Sequence, residues 1–321
     1  MTTLLELREY VKKFYVKFEL YITYAWKFLL SLIAFTMIGN KIGYQTSLTK
    51  LPILLMAALL CSIMPANFMV ILSSGFILAH LYKLSLQCAV VALIIFLLMF
   101  LLYFRFSPKD TLAVMLTPMC FYLSVPYVIP IALGLLSTPA SMASMACGVI
   151  VTYMITYISG NATVLTATDM ESKASQFQTI LSELMGNKAM WVCIVSFAIT
   201  LAIVYLIRRM SVDHSWTIAI IAGALANIIC LLIGDLIYST QLSFAGVIGK
   251  TIVSVIILFV IQFFAFNLDY SRIEKVQFED DEYYYYVKAV PKVSVSTPAP
   301  KVKRINQPNA NRDYRGRDRG E

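Results

Sequence analysis

The chain reads as an all-α polytopic membrane protein. It is expected to have about six full transmembrane helices, two broken or re-entrant apolar hairpins, an amphipathic N-terminal helix and a disordered cytoplasmic C-terminal tail. Three observations predict this. Of 321 residues, 59% are hydrophobic and only 14% are charged, against about 25% charged in a soluble domain. The mean hydropathy is +0.75. Apolar windows of roughly 20 residues recur along the chain, long enough at about 1.5 Å per residue to cross about 30 Å of hydrocarbon.

Residues 1–20 form the first expected unit. Leu4, Leu7, Val11, Phe14, Tyr15, Phe18 and Ile22 share one helical face, with Arg8, Lys12, Lys13 and Lys17 among the polar positions. That pattern suits a helix lying on the membrane with its basic side chains toward anionic lipid. The first 20 residues hold seven charges and no short apolar core ending in a small-residue cleavage site. No cleavable leader is therefore expected, and the first apolar segment itself directs insertion.

Residues 21–267 form the expected transmembrane domain. Full spans are predicted over about 21–39, 84–104, 139–159, 189–207, 215–237 and 244–267. Two further windows are interrupted: 51–82 at "MPAN", Met64–Asn67, and 111–136 at "LSVPYVIP", with Pro126 and Pro130. Proline removes a backbone donor and breaks a helix unless neighbours compensate.

Basic loops favour the cytoplasm. This puts the N-terminus, Arg105, Lys109, Arg208, Arg209 and the C-terminal tail inside, in the cell membrane. The scheme holds if each interrupted window enters and leaves on one side, 51–82 from outside and 111–136 from inside. A pair of short crossings gives the same sidedness. Lys41, Lys50 and Lys83 then fall outside, against the rule.

The outer loop carries a second amphipathic helix, at about 165–187. Thr168 and Glu171 fit a capping box, Met170, Ala174, Phe177, Leu181 and Leu184 recur at helical spacing, and Gly186–Asn187 supplies a stop. Along 139–159, Ala140, Ser144, Gly148, Thr152 and Thr156 recur every four residues, a small-residue ridge for close helix packing.

The candidate substrate or helix-pair residues are the polar groups inside apolar segments. Asp235 and Lys250 flank the turn between the last two spans at similar depth, and a buried charge at membrane depth calls for a partner. Asn67, Ser73 and Ser74 in the first interrupted window, and Tyr122 and Tyr127 in the second, line one site if the windows meet. Opposed interrupted helices of this kind build the sites of inverted-repeat transporters.

Several chemistries are set aside. "GKT" at Gly249–Thr251 lacks the phosphate-loop glycine, since Phe244 occupies its place. Only His80 and His214 are histidines, and neither has a second ligand at metal spacing. Six cysteines (Cys61, Cys88, Cys120, Cys147, Cys193, Cys230) read as small apolar fillers. No complete catalytic set occurs, so no enzyme activity, cofactor or metal is expected.

Two units follow the last span. Residues 268–292 run through Phe278, Glu279, Asp280, Asp281, Glu282, Tyr283, Tyr284, Tyr285 and Tyr286, an acidic and aromatic juxtamembrane stretch that suits docking of a protein partner as an added strand. Residues 293–321 are a disordered basic tail. From Lys288 onward nine basic residues oppose three acidic ones, which places +6 of the chain's +8 there. The tail suits anionic lipid. Alternating Arg and Asp lower its positive density, so nucleic acid is not an expected partner.

Two functions are therefore carried forward. One is a transporter or permease-like protein moving a small solute or lipid-linked substrate. The other is a membrane scaffold of an envelope assembly, docking partners through its cytoplasmic tail.

Overall fold

Where water is absent, backbone polar groups must be satisfied within their own segment, and the α-helix does this. The computed structural model describes residues 2–166, 173–210, 212, 214–240, 243–265, 274–279 and 284–289. Its helices are α1 (Thr2–Lys17), α2 (Glu19–Ile42), α3 (Leu51–Ile63), α4 (Ala66–Leu84), α5 (Leu86–Phe106), α6 (Thr111–Tyr122), α7 (Val128–Leu136), α8 (Ser141–Gly160), α9 (Ala162–Thr166), α10 (Lys173–Gly186), α11 (Lys188–Arg208), α12 (Ser215–Tyr238) and α13 (Phe244–Ala265).

Among the described residues, seven helices are long and apolar enough to cross a membrane: α2, α4, α5, α8, α11, α12 and α13. Six of them are the predicted spans. The seventh, α4, is the second half of the first interrupted window. The break at Met64–Asn67 sets it apart in the sequence, and its polar Ser73, Ser74 and His80 are all buried. Ser74 donates to the Ile71 carbonyl at 2.7 Å, and His80 Nδ1 accepts from the Gln45 amide at 3.1 Å. Elsewhere hydroxyls bond back to their own helix, as Thr117 does to Ala113 O at 2.6 Å and Thr251 to Val247 O at 2.8 Å. A polar side chain is thereby tolerated on an apolar helix.

The first window breaks at Pro65, just before α4, where a missing amide costs nothing. Ser62 Oγ donates to Tyr24 O at 2.8 Å and Lys27 Nζ to Met64 O at 3.2 Å. The break therefore lies beside the early turns of α2. The end of the bundle holding this break, the 107–110 loop and Arg208 is here termed the lower end. The upper end holds the 43–50 loop and the C-termini of α8 and α12.

The second window breaks at Leu123–Tyr127, where Ser124 takes a left-handed φ of 62°. The two ends of this α6–α7 hairpin lie together, with Ser137 Oγ donating to Asp110 Oδ1 at 3.4 Å. Its tip packs against the middle of α11. The rings of Phe121 and Tyr127 lie 6.0 and 6.1 Å from that of Phe197.

α11 is locked to its neighbours by valine side chains seated on glycines. A Cβ added to Gly134 would lie 2.7 Å from the Val204 Cβ, and one on Gly223 would come closer still to the same valine. Val192 fills the notch at Gly234 in the same way. The predicted ridge on α8 has a matching role at Gly148, whose added Cβ would lie 2.5 Å from Thr117 of α6. Backbones approach closely at such points, and dispersion replaces the hydrophobic effect as the source of cohesion in lipid.

α10 is the predicted outer helix. Ile180 and Leu184 bury against Ile95 of α5 and Ile158 of α8. Asn187 Oδ1 then caps α11, accepting from the Met190 amide at 3.1 Å. The expected capping box at Thr168–Glu171 lies outside the described residues. α1 exposes Tyr10, Phe14, Tyr15 and Val16 along with Lys12, Lys13 and Lys17, the mixed surface expected of an interfacial helix.

Beyond the helices, β1 (Glu274–Glu279) and β2 (Tyr284–Ala289) form an antiparallel ladder with Phe278 opposite Tyr285 and Val276 opposite Val287. This departs from an all-α reading. The β-prone tyrosine run finds a partner within its own chain.

Val204 sits in two notches at once, so Gly223→Ala should overpack the α7–α11–α12 contact and cost about 1–3 kcal/mol. Adding Val204→Ala should return most of that loss. Thermal unfolding of the two variants in the same detergent checks this.

Candidate functional site

The two interrupted windows meet at two levels. At the lower end, Asn67 of α4 accepts a hydrogen bond from the Tyr103 hydroxyl at 2.8 Å and another from Thr111, the first residue of α6. Tyr103, only 1% exposed, also lies 2.8 Å from Thr111 Oγ1 and 3.2 Å from Pro108 O. One phenol thus ties the break of the first window and the start of the second to the end of α5. Ser107 and Ser144 bond beside it. Arg208 donates to the carbonyls of Gly134, Leu135 and Ser137, the last turn of α7. A guanidinium has the donors and the sign to cap a helix C-terminus.

Higher up, Ser73 of α4 lies 3.6 Å from the Met115 sulfur of α6. Between these windows and α2, α5 and α8 is a cavity of about 440 Å³. Its walls are mainly apolar. Met37, Met99, Met115 and Met119 contribute four thioethers, flexible groups that adapt to irregular shapes. Ser73, Ser74 and Tyr122 all line it, so three of the predicted residues share one site.

The others lie elsewhere. Asn67 closes the lower end through the Tyr103 cluster. Tyr127, 7% exposed, turns to the opposite side of its hairpin against Phe197. Asp235 accepts from the Thr240 hydroxyl at 2.7 Å, within the end of its own helix. Lys250 is exposed on α13, and no ion pair links it to Asp235 among the described residues. In the docking stretch, Phe278 and Glu279 end β1 and Tyr284, Tyr285 and Tyr286 begin β2. Asp280, Asp281, Glu282 and Tyr283 lie outside the described residues.

Lys41, Thr152 and Thr156 are among the lining residues not singled out beforehand as site residues. Among the described residues, Lys41 is the only Lys, Arg, Asp or Glu in the cavity wall. Its signal was its clash with the basic-loop rule. Thr152 and Thr156 belong to the small-residue ridge read as packing. The ridge divides its work: Ser144 and Gly148 pack, while Thr152 and Thr156 face the cavity. Among the described residues no three His, Cys, Asp or Glu side chains gather as a metal site.

Asp110 sits in the loop between α5 and α6. Burial pushes its carboxyl above the usual value of 3.8, against a smaller opposite pull from the Ser137 hydroxyl. No protein-family model, curated protein or solved structure matches this chain.

A carboxyl whose value rises on folding stabilises the fold in its protonated form. That contribution is complete below 3.8 and is lost as pH climbs through the raised folded value. Asp110→Asn should therefore unfold at a higher temperature than the parent near pH 7, with the difference shrinking toward zero as pH drops below 3.8. A series of thermal midpoints against pH checks it.

Proposed function

We propose that this chain is a permease-like integral membrane protein, and that the cavity between the two interrupted windows is its substrate site. The observation that carries the reading is the shared wall: α4 from one window and α6 from the other enclose the same 440 Å³. That volume falls within the roughly 300–1,000 Å³ of small-molecule sites. Transporters with broken helices bind where such segments meet, because the break frees polar groups in an otherwise apolar bundle.

In this reading the lower end faces the cytoplasm. Arg105 at the end of α5, Lys109 in the next loop, and Arg208 and Arg209 at the end of α11 all belong to it, which agrees with the basic-loop rule. The two windows then differ. The α6–α7 hairpin enters from the cytoplasm and turns back at mid-depth, as its contact with Phe197 suggests. The α3–α4 hairpin enters from outside and reaches the cytoplasmic boundary at Met64–Asn67, beside Lys27 and the 107–110 loop. It is better described as two short crossings than as a re-entrant loop.

Single cysteines in a cysteine-free background test this in oriented vesicles with a membrane-impermeant maleimide. Ala66→Cys should react from the cytoplasmic side and Val128→Cys from neither side. Ser74→Cys should react from both sides, since alternating access opens the cavity each way. Reaction of Ser74→Cys from one side only would remove the permease reading.

The rival reading, a scaffold that docks partners by its tail, draws on the β1–β2 ladder. Among the described residues this sheet has two strands, so both outer edges offer backbone groups to a further strand, and Tyr286 is 76% exposed. Deleting residues 278–292 should leave solute passage within about twofold if the permease reading holds. Loss of all crosslinked partners with unchanged accessibility at Ser74→Cys would favour the scaffold.

A further inference from the structure

The cavity is not uniform along its length. On α2 its lining runs Ala34, Met37, Ile38, Lys41, one face of the helix at three- and four-residue steps that ends in a cation. On α8 it runs from Cys147 and Val151 to Thr152 and Thr156. Both helices run upward, and their ends lie together, since Ile42, Ile155 and Ile158 belong to one buried cluster. The polar lining therefore gathers toward the upper end. Lys41 and Thr156 near the upper ends of α2 and α8 are exposed, as are Tyr122 and Ser124 at the mid-depth hairpin tip, whereas Val70, Met99, Tyr103 and Met115 toward the lower end are buried. The cavity has a cationic, hydroxyl-bearing mouth above and a closed apolar floor below.

The floor offers little to a polar solute. Ser74 donates to Ile71 O, Ser73 faces the Met115 sulfur and Tyr103 donates to Asn67. A sugar or amino acid placed there would leave its own donors and acceptors unpaired, at a desolvation cost. An alkyl chain carries no such cost and gains from burial, at about 0.8 kcal/mol per methylene. Four thioethers let the wall adjust to chains of different length. At the mouth, Lys41 selects an anion over a neutral or cationic head, and Thr156 of the same wall offers a hydroxyl.

We infer that the cavity binds an anionic single-chain amphiphile or one acyl chain of an anionic lipid, with the alkyl chain between α4, α5 and α6 and the headgroup at Lys41. This rests on the reading of the cavity as the substrate site and names the substrate class. It concerns binding alone, so it can stand or fall separately from accessibility at Ser74→Cys.

The test uses the full chain in phosphatidylcholine nanodiscs with a diazirine-bearing fatty acid, crosslinked by light and mapped by mass spectrometry. Labels should fall on α4, α5 and α6 lining residues such as Val70, Met99 and Met115. Laurate should displace the probe, and dodecanol should do so about tenfold less well, the worth of one charge-assisted hydrogen bond. Lys41→Gln should weaken probe binding by the same factor and abolish the preference for laurate, while Lys41→Arg keeps it. Lys41 is exposed, so neither change threatens the fold. Displacement by phosphatidylglycerol in the discs assigns the chain to a lipid, and displacement by laurate alone assigns it to a free acid. The inference is overturned if Lys41→Gln labels like the parent, if dodecanol competes as well as laurate, or if labels fall on the outward-facing Ile33 and Leu97 instead of the cavity.

Discussion

Every departure from a plain helix in this bundle has to satisfy backbone groups that the helix would otherwise satisfy itself. In hydrocarbon each unmet group costs several kcal/mol, and this constraint governs the placement of the informative side chains. Where the first window breaks, Lys27 reaches the Met64 carbonyl and Ser62 reaches Tyr24 O. Where the second ends, Arg208 takes three carbonyls at the end of α7. Tyr103 serves the 107–110 loop and both windows through one hydroxyl. The cations and the phenol at the lower end are structural first. They make interrupted helices affordable, and interrupted helices make the cavity.

The bundle divides its packing accordingly. Around α11, valines fill glycine notches on α7 and α12, and the contact leaves no room for a single added methyl. Around the cavity four methionines join aromatic and branched side chains, and a methionine has three rotatable bonds and no fixed shape. Glycine and valine set backbone distance rigidly; methionine fills space without setting it. The glycine contacts fix helix spacing around α11, while the four thioethers give the cavity wall side chains that can adapt. Such an arrangement suits a binding site whose occupant varies in length.

The long spans were legible because apolar runs of that length have one physical solution. The two interruptions were legible from their prolines, and so was the meeting of Ser73, Ser74 and Tyr122, since opposed broken helices have few ways to pack. From sequence, α4 stays open between re-entry and crossing because the break at Met64–Asn67 interrupts its window and basic residues give the same sidedness either way. The Asp235–Lys250 pairing followed from equal depth alone. Depth does not say which way two helices turn their faces, and Asp235 bonds instead to Thr240 on its own helix end. The β1–β2 ladder was half visible: the tyrosine run announced an extended segment, but its partner was sought outside the chain rather than ten residues earlier.

Lys41 shows how a misfit in one rule can carry information about another. Basic side chains at the upper end, Lys41, Lys50, Lys83 and Lys188, oppose the orientation that Arg105, Lys109, Arg208 and Arg209 favour. If orientation were the only pressure, a glutamine would serve at position 41. A lysine there occupies the last turn of α2, where the helix dipole gives a cation some stabilisation. The dipole explains the tolerance of the charge but not its place on the cavity face, one turn above Ile38 and two above Ala34. A charge needed only for the helix end could point to any side. One set at the mouth of an apolar chamber, with no other ionised group in the wall among the described residues, suits something that is itself charged at one end and apolar along the rest.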